Sequence, residues 1–167
     1  MKKAAVIFLL VISFCFLLAG CFSKVMVLPD ADTIGEAKTF TKDGITLVLT
    51  DKFEETKSEM GFDAYFTSDF CGVIVLKEEF SLEAGLAQKS LEDYINNVIK
   101  NNAHENVTAQ NADGLWFYTY DRDGRRIYSY SYKGSDAFWI VQYICESSDV
   151  KALEDQIFLW AKSVEVN

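Results

Sequence analysis

LWFYTYDRDGRRIYSYSYKGSDAFWIVQYI, Leu115–Ile144, is the stretch from which the fold is read. Leu115 to Tyr120 reads as a strand rich in aromatic residues. Asp121-Arg122-Asp123-Gly124 is a turn signal, and Arg126 to Tyr132 returns with a tyrosine at every second position. After Lys133-Gly134-Ser135, the run Phe138 to Ile144 is bulky on both faces. A strand that is apolar on both faces needs cover on both faces, so layers are expected above and below the sheet.

Working outward, Ile45, Leu47 and Leu49 alternate after the Asp43-Gly44 turn. Ala64 to Thr67 reads as another strand, and Val73 to Leu76 as an apolar one. A helix is predicted to start at Ser90 as N-cap. Leu91, Tyr94, Ile95, Val98 and Ile99 recur on its one face, and Asn101-Asn102 closes it. A second helix begins near Ser148 or Asp149 and lines up Val150, Leu153, Ile157, Trp160, Ala161 and Val164. Short connections favour antiparallel neighbours. The expectation is an α+β domain, a mostly antiparallel sheet of about six strands with helices packed on its faces.

The other end of the chain carries a different signal. Lys2 and Lys3 precede an uncharged apolar run, Ala4 to Leu18, of signal-peptide length. The run ends in Leu18-Ala19-Gly20-Cys21, which resembles the lipobox of bacterial lipoproteins. Ala19 and Gly20 are small enough for a peptidase cleft, and the Cys21 thiol can form a thioether with a lipid donor. The resemblance implies removal of residues 1–20 and a diacylglyceryl (palmitate-type) anchor on Cys21, with no other cofactor. Two acyl chains hold a protein on a membrane where one holds it only marginally. Residues 21–37, with Pro29, Asp30, Asp32 and Gly35, read as a tether, and residues 38–167 as one domain. The expected location is the extracytoplasmic face of the cell membrane, or the outer membrane of a cell that has two. Phe22 stands where an aspartate would suggest inner-membrane retention.

Charge excludes some partners. Of 16 basic residues, loss of Lys2 and Lys3 leaves 14 against 25 acidic ones, a net of −11. Such a chain suits neither nucleic acid nor anionic headgroups, so the acyl anchor rather than a basic patch holds it to the membrane. About 147 residues remain after the leader, enough for a single core.

The order of elements supports a second resemblance. Together with Phe40-Thr41-Lys42-Asp43-Gly44-Ile45, Asp136-Ala137-Phe138-Trp139-Ile140-Val141 and Trp160-Ala161-Lys162-Ser163-Val164, it is similar to the Mog1/PsbP-like superfamily. That family includes small bacterial lipoproteins. The resemblance covers roughly residues 38 to 166 and implies a sandwich of antiparallel sheet and helices. Members differ in role, from binding small GTPases to supporting photosystem assembly. None of their specialised sites is matched residue by residue, so the fold transfers no function.

Catalytic signatures are absent from the sequence. His104 is the single histidine and reads as a solvated loop residue past the first helix. There is no Gly-x-Ser-x-Gly elbow, phosphate loop or dinucleotide fingerprint. Asp121 to Gly124 opens like a calcium loop, but Arg125 and Tyr132 stand where that loop needs oxygen ligands, so no metal site is assigned. Cys71 and Cys145 are the remaining thiols of the mature domain. They pair in a disulfide or serve as two small buried residues, and the sequence leaves both readings open.

Two aromatic sets make the candidate binding surface: Trp116, Tyr118 and Tyr120 on one strand, Tyr128, Tyr130 and Tyr132 on the next. An odd-length loop would unite them on one face, and a two- or four-residue loop would separate them. United, the six rings need cover from a helix, a ligand or a partner, and they read either as core packing beneath a helix or as a groove for a peptide, glycan or apolar ligand. The function expected is a membrane-anchored, non-catalytic interaction or accessory module of the cell envelope. The alternative is a small-ligand-binding lipoprotein with an aromatic-lined groove. Partner, ligand and oligomeric state are not legible.

Overall fold

Three Asp-Gly pairs turn the chain back on itself. Asp43-Gly44, Asp113-Gly114 and Asp123-Gly124 each have two positive φ angles (48° and 101°, 51° and 84°, 53° and 77°). Two consecutive residues at positive φ make the tight turn whose twist matches paired antiparallel strands. Glycine takes the second position without steric cost, and aspartate tolerates the first. The computed structural model describes residues 34–57, 61–102, 104 and 106–167. The expected leader 1–20, the lipobox Leu18, Ala19, Gly20 and Cys21, and the tether up to residue 33 lie outside the described residues.

The chain runs through β1 (Ala37–Lys42), β2 (Ile45–Thr50), β3 (Glu54–Glu55), β4 (Ala64–Thr67) and β5 (Gly72–Glu79). A 3-10 turn (Leu86–Gln88), α1 (Leu91–Asn101), β6 (Gln110–Ala112), β7 (Leu115–Arg122) and β8 (Arg125–Lys133) follow. The last elements are β9 (Ala137–Glu146), α2 (Val150–Lys162) and β10 (Glu165–Val166). They form a seven-stranded sheet in the order β3-β4-β5-β9-β8-β7-β6 and a three-stranded sheet in the order β1-β2-β10. Every pairing is antiparallel.

The α+β class is as expected, with ten described strands in two sheets rather than about six in one. The six read from sequence are β2, β4, β5, β7, β8 and β9. Two of the others, β3 and β10, have two residues each and β6 has three, too short to show a period. Polar β1 exists because it pairs along the whole of β2.

Alternation in β9 explains the layering. Ala137, Trp139, Val141, Tyr143 and Cys145 point into one core, shared with Ile45, Leu47 and Leu49 of β2 and with Leu153, Ile157, Trp160 and Ala161 of α2. Phe138 and Ile140 point the other way, against Tyr94 of α1 and Leu86. The Tyr94 ring stacks on Phe138 at 4.0 Å and 10°. Thus α2 and the small sheet cover one face and α1 covers part of the other. Helix α1 starts as its sequence indicates, with the Ser90 hydroxyl accepting from the Asp93 amide at 3.0 Å. Among the described residues no helix is long and apolar enough to cross a membrane.

Candidate functional site

The hairpin between β7 and β8 closes through the two residues Asp123-Gly124, and this decides where its aromatic rings go. Tyr118 stands opposite Ser129 and Tyr120 opposite Ile127, whereas Tyr128 faces Thr119 and Tyr130 faces Phe117. Residues directly opposite share a face. Trp116, Tyr118 and Tyr120 therefore lie on one side of the sheet and Tyr128, Tyr130 and Tyr132 on the other. The structure does not bring the six together.

Tyr128, Tyr130 and Tyr132 are core residues beneath α2, all buried. The Tyr132 hydroxyl donates to the Ala161 carbonyl at 2.8 Å, tying β8 to the helix. Tyr130 packs edge-on against Tyr143 at 5.9 Å. Burial raises all of these phenols, Tyr130 to about 12 and Tyr132 and Tyr143 well beyond the usual value, so they stay protonated and do no acid–base work at neutral pH.

On the opposite face, Tyr118 is buried with Ile95 and Ile99 of α1, while Trp116 and Tyr120 are half-buried at the margin of that cluster. His104 was expected in solvent, but it lies over this margin, its ring 4.1 Å from that of Tyr120. The backbone brings it there, since the His104 amide donates to the Ile99 carbonyl at 3.2 Å and extends the last turn of α1. Burial lowers the His104 pKa, and the nearby Arg122 cation lowers it further. The ring is therefore neutral at pH 7. Beside it a groove of ≈ 480 Å³ is lined by His104, Val107, Thr119, Tyr120, Asp121 and Arg126. Among its lining residues Arg126 holds Asp121 through two bonds, Nε to Oδ1 at 2.6 Å and Nη2 to Oδ2 at 2.9 Å.

This groove borders a stretch of β7 beyond the reach of β6, where Val107 and Ala109 pack against the Tyr118 cluster. Strand β6 pairs only with Leu115, Trp116 and Phe117. From Tyr118 to Arg122 the outer side of β7 has no strand partner among the described residues. Sequence reasoning did not assign His104, Asp121 or Arg126 to any site. The position of Arg126 opposite Asp121 follows from the same two-residue turn, once its length is known.

Cys71 and Cys145 are free and buried, at 4% and 2% exposure. They lie at the back of a second recess of ≈ 210 Å³, which Tyr65, Ser68, Arg125 and Glu146 also line. Among the described residues, no group of three or more His, Cys, Asp or Glu side chains converges as a metal site.

No family model matches the chain. No curated protein matches it either. The likeness lies in structure. The solution structure of cyanobacterial PsbP (CyanoP) from Synechocystis sp. PCC 6803 superposes with a TM-score of 0.53 at 15% identity, covering 79% of this chain and 92% of that one. A crystal structure of a protein from Bacteroides thetaiotaomicron VPI-5482 superposes with a TM-score of 0.51 at 6% identity. It matches 80% of this chain, which spans only 49% of that protein. At such identities the likeness shows the fold, which is PsbP-like.

Proposed function

We propose that the protein is a membrane-anchored extracytoplasmic lipoprotein and acts as a non-catalytic protein-interaction or accessory module of the cell envelope. The anchor is the diacylglyceryl group implied on Cys21. The observation that carries the interaction reading is the unpaired outer edge of β7, Tyr118–Arg122, beside the half-buried Tyr120 and His104. A strand edge without a strand partner offers backbone donors and acceptors to an extended segment of a partner, and flanking rings supply apolar contact. The PsbP-like fold supports an accessory role in general terms and no particular partner. The ligand-binding alternative keeps only Trp116 and Tyr120 of its lining near the surface, because Tyr118, Tyr128, Tyr130 and Tyr132 are buried in two separate cores.

The test is a crosslinked pull-down of the lipidated protein from its own membranes, with a Cys21→Ser control. The expected result is a stoichiometric membrane partner whose crosslinks map to residues 118–122 and which is lost in the control. Crosslinks confined to another surface would remove the edge from the account, and no enriched partner would sink the interaction reading.

A further inference from the structure

The register of the central strands brings two distant cysteines face to face. In the β5–β9 ladder Gly72 pairs with Ile144, Val73 with Tyr143, and so on to Glu79 with Ala137. One step beyond Gly72, the same register sets Cys71 opposite Cys145. Both side chains point to the α2 side of the sheet, the face of Val73 and Tyr143, and both are packed in the same core. Directly opposed residues of an antiparallel pair have Cα atoms about 4.5 or 5.5 Å apart, according to their place in the hydrogen-bond pattern. Either spacing lies inside the range of about 4.4–6.8 Å that a disulfide spans without moving the backbone.

We infer that Cys71 and Cys145 are oxidised to a disulfide in the exported protein, stapling the start of β5 to the end of β9. The inference rests on the extracytoplasmic location proposed above, because thiols persist in a reducing compartment and disulfides in an oxidising one. The oxidant is a disulfide-bearing exchange partner, protein or small molecule. Cys145, having lost its proton, attacks one of its sulfurs as thiolate and expels the other as a thiolate, which takes up that proton. Cys71, losing its own proton, then attacks the Cys145 sulfur of the mixed disulfide and releases the second thiol. Two thiols are oxidised with loss of two protons and two electrons, and one disulfide is reduced to two thiols.

The burial that makes a good staple also limits when it forms. In the folded domain burial pushes the Cys145 thiol up to about 11 and the Cys71 thiol higher still, the latter helped by its Cys145 neighbour. Thiolate, the attacking species, is scarce under those conditions. Oxidation therefore belongs to the folding chain, before α2 docks over the pair.

Thiol counting after acid quench decides the matter, using the full chain recovered from its own membranes. The chain has 4 cysteines, of which Cys15 leaves with the leader and Cys21 is blocked by lipid. Alkylation in denaturant is expected to label none before reduction, then Cys71 and Cys145 after it. A Cys71→Ser chain should show Cys145 alone without reduction. Labelling of Cys71 and Cys145 before reduction, in a chain whose Cys21 is blocked, overturns the disulfide and leaves the location intact. Labelling of Cys15 and Cys21 overturns the location instead. The pair is then judged on the purified full chain treated with oxidised glutathione, where a Cys71–Cys145 linked peptide supports the inference and its absence overturns it.

Discussion

At the scale of single residues, two buried tyrosines separate packing from hydrogen bonding. Tyr132 and Tyr143 belong to one core, but the Tyr132 hydroxyl reaches the Ala161 carbonyl, whereas the Tyr143 hydroxyl is buried without a partner among the described residues. A buried hydroxyl with no partner costs stability, and one that is bonded returns about 0.5–1.5 kcal/mol. Tyr132→Phe is therefore expected to destabilise the fold by about 1 kcal/mol, and Tyr143→Phe to be neutral or stabilising. Urea titrations of both variants check this; equal losses in the two would mean that ring packing alone governs both sites. The same tyrosines show what a sequence conceals. That Tyr128, Tyr130 and Tyr132 share a face follows from their spacing, but which partners they meet depends on one integer, the length of the turn. Asp123-Gly124 is the signature of a two-residue turn, so the signal for opposite faces was present in residues already recognised as a turn.

At the scale of elements, α1 was legible because its apolar residues repeat at the helical period and Ser90 caps it. What it does beyond Asn101 was not, because His104 reaches Tyr120 only through tertiary folding of the residues between α1 and β6. Nor could the open edge of β7 be read, since it is defined by how soon β6 stops pairing, and Gln110-Asn111-Ala112 has no period from which to judge that. The position of His104 has a pH consequence. Its pKa is lowered in the folded protein, so the unfolded chain binds a proton more readily, and stability rises with pH across the interval from the folded value up to about 6.5. As pH falls through that interval the wild-type melting temperature is expected to drop more steeply than that of His104→Gln, with parallel curves above it. Curves that stay parallel through the interval would place the ring in water rather than against Tyr120.

At the scale of the whole molecule, the two described sheets and helices α1 and α2 depend on contacts far apart in sequence, and Trp160 is one place where they meet. Its ring is 5.3 Å from Phe53 at a near-perpendicular 89°, and nearly parallel to Phe70 and Tyr143 at 6.3 and 6.2 Å. Three residues later, the Ser163 hydroxyl accepts from the Val48 amide at 2.9 Å, which fastens α2 to the small sheet, while its own proton goes to the Trp160 carbonyl at 2.6 Å. The helical stripe of α2 was readable, but not that its tryptophan joins the loops after β2 and β4 to the central strand β9. Truncating a large buried aromatic costs about 3–5 kcal/mol, against a total of about 5–15 kcal/mol for a domain. Trp160→Ala is expected to bring the domain close to unfolding at room temperature, whereas Trp116→Ala, at the half-buried margin of the α1 cluster, loses considerably less. Denaturant midpoints with unchanged m-values would report this as a loss of stability of one cooperative unit. A Trp160→Ala midpoint close to that of the wild type would mean that the small sheet and α2 are held by other contacts, with Ile157 and Leu153 the next to truncate.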